Sequence, residues 1–238
     1  MRQDVHTSGI PVLCASCEAR HRGVCGALRP EQLVSLAKAS TKQRLDEGSE
    51  VVGDAEVIES YANILSGVVK LKKALPDGRQ QIVGLQFAPD FLGRPFGQES
   101  VVDVEAATDL NLCTFPKSAL ERLIEESPAL EKRLLRQTLR ELDDARQWML
   151  TLGRKTATEK IASFLLLIAR NIDPTEPDRR SASFDLPLSR ADIADFLGLT
   201  IETVSRQLTK LSAEGVLVVR NRRVEVPSLA KLSRVAGA

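Results

Sequence analysis

Up to about Phe115 the apolar residues come in short runs, and after Ser127 they come at helical spacing. Runs at residues 68–71, 82–87 and 101–104 are separated by turn residues at Gly48, Gly53, Gly67, Gly78 and Gly93. Asp77-Gly78 between two such runs predicts a hairpin turn, because glycine accepts the positive φ that tight hairpins require. Short strands punctuated this regularly, from about Leu45 to Phe115, predict a small antiparallel sandwich or roll.

The second texture is helical. Ser127-Pro128 is a helix start, with Ser as N-cap and Pro at the first helical position, and no further Gly or Pro occurs until Gly153. About 25 residues at 1.5 Å each make a rod of roughly 37 Å. Leu135, Thr138, Leu142, Ala145, Met149 and Leu152 alternate at three and four positions, a heptad seam that predicts pairing of this helix with a second copy. Leu130, Leu134, Leu139 and Leu150 lie off that seam and are expected to pack on the helix's own domain. A further apolar helix over 157–169 and a Pro- and charge-rich loop over 173–183 follow.

The most specific local pattern begins at Ser189. Ser189-Arg190-Ala191-Asp192 is a capping box with Asp in place of the usual Glu. Ile193, Ala194 and Leu197 give a two-turn helix one apolar face, and Gly198-Leu199 make a turn suited to a residue without Cβ. Thr200 caps a second helix in which Val204, Leu208 and Leu211 face inward, leaving Glu202, Thr203, Ser205, Arg206 and Thr209 outward. Gly215 ends it, and two Val-rich runs flank Arg220-Asn221-Arg222-Arg223, a hairpin wing with a basic tip. This is a winged helix–turn–helix whose second helix would enter a major groove. Arg206 can donate twice to guanine, Glu202 can accept from cytosine N4, and Ser205 can do either. A surface ion pair between Glu202 and Arg206 is the plainer alternative for those two residues.

Charge and cysteine usage sharpen this picture. Residues 154–238 carry 14 Lys and Arg against 10 Asp and Glu, and the rest of the chain 19 against 22, so the basic excess sits with the DNA-reading pattern. With 43% hydrophobic and 27% charged residues the composition is that of an ordinary globular protein. No apolar run approaches the roughly 20 residues of a membrane span, and residues 1–10 lack the pattern of a secretory leader, so no membrane association and a cytoplasmic location are expected. Cys14, Cys17 and Cys25 fall within twelve residues and Cys113 lies 88 positions later, which is not a disulfide framework in a reducing compartment. Four thiolates suit an iron–sulfur cubane; structural zinc or unligated cysteines are the alternatives. Arg20, His21 and Arg22 lie between Cys17 and Cys25 as solvated surface or as cover for such a group. With only His6 and His21, His6 without a readable role, no nucleophile–base arrangement is in view and no enzyme is expected.

The whole chain resembles the CRP/FNR superfamily of bacterial regulators. The stretch Gly198 to Arg206, with Glu202, Ser205 and Arg206 as a Glu-x-x-Ser-Arg pattern, is similar to the FNR-type reading head. The cysteines resemble those of FNR-type oxygen sensors of the FnrN/FnrL kind, although better-known members have a shorter gap before the third cysteine than the seven residues here. The resemblance implies an α+β chain: an N-terminal antiparallel β-roll of cyclic-nucleotide-binding-like jelly-roll type, a long dimerisation helix and a C-terminal winged helix–turn–helix. The corresponding segments are 1–27 for the cysteines, 28–126 for the roll, 127–153 for the helix and 154–238 for the reading domain. It also implies a [4Fe–4S] cluster on Cys14, Cys17, Cys25 and Cys113, with double-stranded DNA bound at a palindrome of TTGAT half-sites by a homodimer. Glu202, Ser205, Arg206, Thr200 and Thr203 would contact that DNA with Arg222 of the wing, and Leu135, Leu142, Ala145, Met149 and Leu152 would form the dimer interface. An activator of anaerobic or microaerobic genes would contact RNA polymerase, here through the hairpin tip at 72–79. Cyclic-nucleotide-binding relatives carry a Gly-Glu pair and a phosphate-pairing Arg. Here Gly93-Arg94-Pro95-Phe96 stands instead, with no Arg between Gln98 and Ala107, so no cyclic nucleotide is expected. The rival functions are a similar regulator answering mainly to nitric oxide or redox, and a small iron–sulfur electron carrier, which leaves the C-terminal third unexplained.

Overall fold

The computed structural model describes residues 10–172 and 179–237, so His6, most of the 1–10 stretch and residues 173–178 of the polar loop lie outside it. Two compact units divide the chain: residues up to Lys73 with Gly84–Leu142, and Ala74–Val83 with residues from Asp143 onward.

The first unit starts with three short turns of helix, α1 (Val12–Ala15), α2 (Glu18–His21) and a 3₁₀ turn (Val24–Ala27), followed by α3 (Pro30–Ala39). The strands are β1 (Thr41–Leu45), β2 (Glu50–Val52), β3 (Ser60–Ser66), β4 (Val68–Ala74), β5 (Gln80–Phe87), β6 (Phe91–Leu92), β7 (Asp103–Ala106) and β8 (Leu110–Pro116). They form two four-stranded sheets, ordered β1-β8-β3-β6 and β2-β7-β4-β5. Alternation decides what each face does. Ala62 and Ile64 of β3, Leu110 and Leu112 of β8, Val69 of β4 and Val104 of β7 are buried together in one core. The opposite face of the first sheet carries Tyr61, Phe91 and Phe115, which form a second core with Val24, Leu36 and Leu130. The predicted roll is present, with two differences of detail. Residues 101 and 102 precede a strand that begins at Asp103, and the 28–126 segment contains two helices, α3 and α4 (Lys117–Glu126).

Helix α5 spans Pro128–Arg154, 27 residues or about 40 Å at 1.5 Å per residue. The Ser127 hydroxyl accepts from Leu130 N at 3.4 Å, as an N-cap should. In the second unit α6 (Ala157–Asn171) opens on a Thr156–Glu159 capping box. β9 (Ala182–Asp185), α7 (Arg190–Leu197), α8 (Ile201–Ala213), β10 (Val218–Arg220), β11 (Arg223–Val226) and α9 (Leu229–Val235) complete it. β10, β11 and β9 make one sheet in that order. β9 takes up the end of the stretch read as loop, because Ala182 and Phe184 pair with Val226 and Val224 of β11.

Candidate DNA interface and cysteine site

The helix–turn–helix is held by local bonds at every change of direction. Ser189 Oγ accepts from Asp192 N at 3.0 Å, and the Asp192 carboxylate accepts from Ser189 N at 3.3 Å. Gly198 ends α7 in the left-handed region at φ 60°, where a side chain would be strained although no neighbour blocks it. Thr200 Oγ1 then accepts from Thr203 N at 3.2 Å and caps α8. Val204, Leu208 and Leu211 are buried, and Glu202, Ser205, Arg206 and Thr209 are exposed, with Thr203 half-buried. Arg206 donates to Thr203 Oγ1 at 3.3 Å rather than pairing with Glu202. The Glu202 carboxyl lies below the ordinary carboxylate range because its own backbone N–H and the Thr200 hydroxyl bond to it.

Two residues near this helix refine the reading. Arg222, expected at the wing tip, turns its guanidinium back to donate to Leu186 O from Nε at 3.3 Å and from a terminal nitrogen at 3.2 Å. Arg190 was not singled out beforehand. It lines a groove of about 480 Å³ with Ser205, Thr209, Ser212 and Val219; its Nη2 donates to Asn221 O at 3.3 Å and its Nη1 is buried without a protein partner. Its position at the first residue of a capped helix beside the reading helix was the available signal. At the hairpin tip Arg79 pairs with Asp77 at 2.8 Å in the open. Gln80 and Gln81 donate to Asp195 Oδ2 at 2.7 Å and to Phe196 O at 3.0 Å.

On α5 the expected division of leucines changes. Leu130 and Leu134 are buried in the second core, but Leu139 and Leu150 are exposed, 50% and 52%, alongside Leu135, Leu142 and Met149. Leu139 and Leu150 therefore do not serve the helix's own domain. At about 100° per residue the five exposed side chains share a sector of about 100°, with Ala145 and Leu152 roughly 80–100° from Leu135. Helical period alone allowed either set; burial picks the stripe left uncovered.

The cysteine segment lies on the aromatic face of the first sheet. Cys113 of β8 is paired with Lys42 of β1 and Asn63 of β3, so these three side chains share one face. Asn63 Nδ2 donates to Cys25 Sγ at 3.2 Å. Cys14 is raised in pKa by burial and by the charges of Cys17 and Cys113, with Arg20 and Lys42 opposing. Cys25 is pushed up to about 12, first by burial, with the Asn63 donor opposing and Cys113, Cys17 and Cys14 adding. Cys113 is raised mainly by burial, with Ser40 and Lys42 opposing. All four thiols thus lie within one another's electrostatic reach, and none is in a disulfide.

The winding between Cys17 and Cys25 depends on close backbone approach. A Cβ on Gly23 would come within 2.6 Å of Ala19 O and 2.8 Å of Pro89 O. Val24 then enters the second core beside Leu130 and Leu134, and the Arg133 guanidinium of α5 donates to Arg22 O. The segment is thereby bonded directly to the long helix. Neither Asn63 nor Arg133 was read from the sequence; an Asn inside a fully apolar run was the signal for the first.

The donor set fits an iron–sulfur group in charge terms. Buried thiols are costly as free anions, and Arg20, Lys42 and the Asn63 amide supply compensation. Among the described residues no three His, Cys, Asp or Glu side chains close on a single ion. Four thiolates around one zinc at about 2.3 Å would stand about 3.8 Å apart, whereas a cubane puts a separate iron behind each ligand and spreads them wider. In the degenerate Gly93–Gly97 loop, Glu121 Oε1 accepts from Phe96 N and from the Tyr61 hydroxyl, both at 2.7 Å. Burial and this carboxylate raise the Tyr61 pKa. The Phe96 N–H is therefore already occupied by a carboxylate.

Residues 42–127 match the cyclic nucleotide-binding domain model and residues 159–235 the Crp-like helix-turn-helix domain model. A probable transcriptional activator of Rhizobium leguminosarum bv. viciae is 53% identical over 100% of this chain and 98% of its own. The transcriptional activator protein FnrL of Cereibacter sphaeroides is 42% identical over 94% of this chain and 92% of its own. The solved structure of FixK2 from Bradyrhizobium japonicum superposes with a TM-score of 0.76 at 32% identity, covering 84% of this chain and 98% of that one.

Proposed function

The chain belongs to the CRP/FNR family of transcription regulators, and we propose that it is a cytoplasmic activator whose four cysteines hold an oxygen-labile [4Fe–4S] cluster. Regulators of this family bind DNA and act as dimers, and this one is of the FnrL/FixK activator type. Its own site would be a palindrome of TTGAT half-sites, read by Arg206, Glu202 and Ser205 from α8 with Thr200 and Thr203 at the helix start. The exposed stripe Leu135, Leu139, Leu142, Met149 and Leu150 would meet its symmetry mate. RNA polymerase would meet the charged hairpin tip around Arg79.

What supports the cluster assignment is that Cys113 of β8 lies within electrostatic reach of the three cysteines of residues 14–25, beside Arg20 and Lys42 and with the Asn63 amide donating to Cys25 Sγ. When bound, such a group supplies an oxidant-sensitive tie between the four thiolates. Cys113 anchors that tie to β8. Val24 and the Arg22 carbonyl pass its position to α5, where Arg133 and Leu134 immediately precede Leu135, the first residue of the exposed stripe. Loss of the tie frees the segment, and α5 loses a buried neighbour and a bond at the start of its dimer face. The lack of an Arg between Gln98 and Ala107 argues against a cyclic nucleotide in the roll.

The test is iron and sulfide stoichiometry of anaerobically purified protein. About four of each per chain, and loss of both in Cys113→Ser, is the expected result. A full complement in Cys113→Ser would remove the fourth ligand from the proposal.

A further inference from the structure

Asn63 is the least expected side chain near the cysteines. It lies in β3 between Ala62 and Ile64 and is 0% exposed. One end of its carboxamide is bonded: Nδ2 donates to Cys25 Sγ at 3.2 Å. The other end is not, since Oδ1 is buried without a partner. A buried polar group left half-satisfied is costly, and an apolar residue of the same size would avoid that cost. A neutral thiol is a weak acceptor and gives the amide little in return. A thiolate is a charged acceptor and gives far more. The amide also stands on the same sheet face as Cys113, its cross-strand partner, and so is adjacent to ligands from both ends of the cysteine set.

We propose that Asn63 is a positioning residue for the cluster, its carboxamide N–H fixing the Cys25 side chain and neutralising part of the buried charge on that sulfur. The inference rests on the iron–sulfur reading given above and adds a residue outside the four ligands. The nitrogen-to-sulfur orientation follows from that role, since the reverse would set Oδ1 against an anionic sulfur. Groups that bond to metal ligands from behind typically change metal retention by about 10- to 100-fold. They also act on the metal–ligand bond itself. An N–H donated to a coordinated sulfur withdraws density from the iron–sulfur bond.

The test compares wild type with Asn63→Leu, which keeps the γ-branched shape and removes the donor. Anaerobic resonance Raman spectra of the loaded proteins should show the iron–Sγ(Cys) stretches moved to higher frequency in the variant. Anaerobic loss of iron to a chelator should be at least about tenfold faster. Metal-free Asn63→Leu should melt no lower than metal-free wild type, because the orphaned Oδ1 is gone. A residue needed only for folding predicts the reverse, a lower melting temperature with unshifted stretches, and that result would overturn the inference. Identical stretches and identical iron loss in the two proteins would overturn it as well. If Asn63→Leu does not fold, Asn63→Ala carries the same expectation for the stretches. Absence of iron–sulfur modes in the wild type would instead sink the iron–sulfur reading, which keeps the two failures apart.

Discussion

The reading head and the cysteine segment are both made of short helical pieces, and opposite kinds of contact hold them. In the reading head each helix end is closed from within a few residues: Ser189 with Asp192, Gly198 at φ 60°, Thr200 with Thr203. In the cysteine segment α1, α2 and the 3₁₀ turn have no side-chain cap at their starts. What holds them comes from far along the chain: Asn63 on Cys25, Arg133 on the Arg22 carbonyl, Val24 among core residues of β3, β6, β8 and α5. A four-residue helix without caps has little stability of its own. One region carries its shape wherever it goes, and the other depends on what it is fastened to.

The largest expected effect separates the two directly. Stripping metal anaerobically should cost residues 12–28 most of their amide protection while α7 and α8 keep theirs, as read by hydrogen exchange with mass spectrometry. Equal protection in both states would break the comparison. Arg206→Ala comes next. It should weaken a TTGAT palindrome by about 1–3 kcal/mol and flatten discrimination at the guanine, with cluster content unchanged. Equal losses on cognate and scrambled duplexes would remove base reading from that residue. Gly198→Ala should destabilise the head by about 1–2 kcal/mol through left-handed backbone strain alone, since an added Cβ meets nothing within 4 Å; Ser189→Ala should cost about 1 kcal/mol. Thermal melting of both variants checks these values, and neither should alter iron retention.

The smallest effect is in pH. Glu159 lies below its ordinary pKa because the Thr156 backbone N–H and hydroxyl bond to its carboxylate. A lowered folded pKa contributes stability above the unfolded value, and that contribution fades as pH falls through the folded one. Glu159→Gln should therefore melt lower than wild type near neutrality, the gap closing as pH falls below the ordinary carboxylate range. A gap independent of pH would mean the carboxylate charge does nothing in that cap.

The same contrast explains what could be read in advance. Caps, turn glycine and 3–4 spacing made α7, α8 and the wing legible, because each signal acts within a few residues. The roll was legible from its punctuation. β9 was not, since Ala182–Asp185 becomes a strand only through pairing with β11. The exposed stripe of α5 was half legible: spacing marked a second apolar face, but only the fold decides that Leu134 is covered and Leu139 is not. The four cysteines could be named from their spacing and family likeness. Asn63 and Arg133 touch that segment across 38 and 111 positions; Asn63 stood out only as a polar residue in an apolar run, and Arg133 left no local trace.

The central claim is that the cysteine segment governs the reading head through an oxygen-labile group. Operator affinity on a TTGAT palindrome, measured by anisotropy on one anaerobic sample before and after air while its visible absorbance is followed, tests it most directly. The expected result is tight binding with a brown chromophore, and loss of affinity in step with loss of colour. Affinity that stays constant while the chromophore bleaches, or tight binding by protein that never held iron, would contradict it.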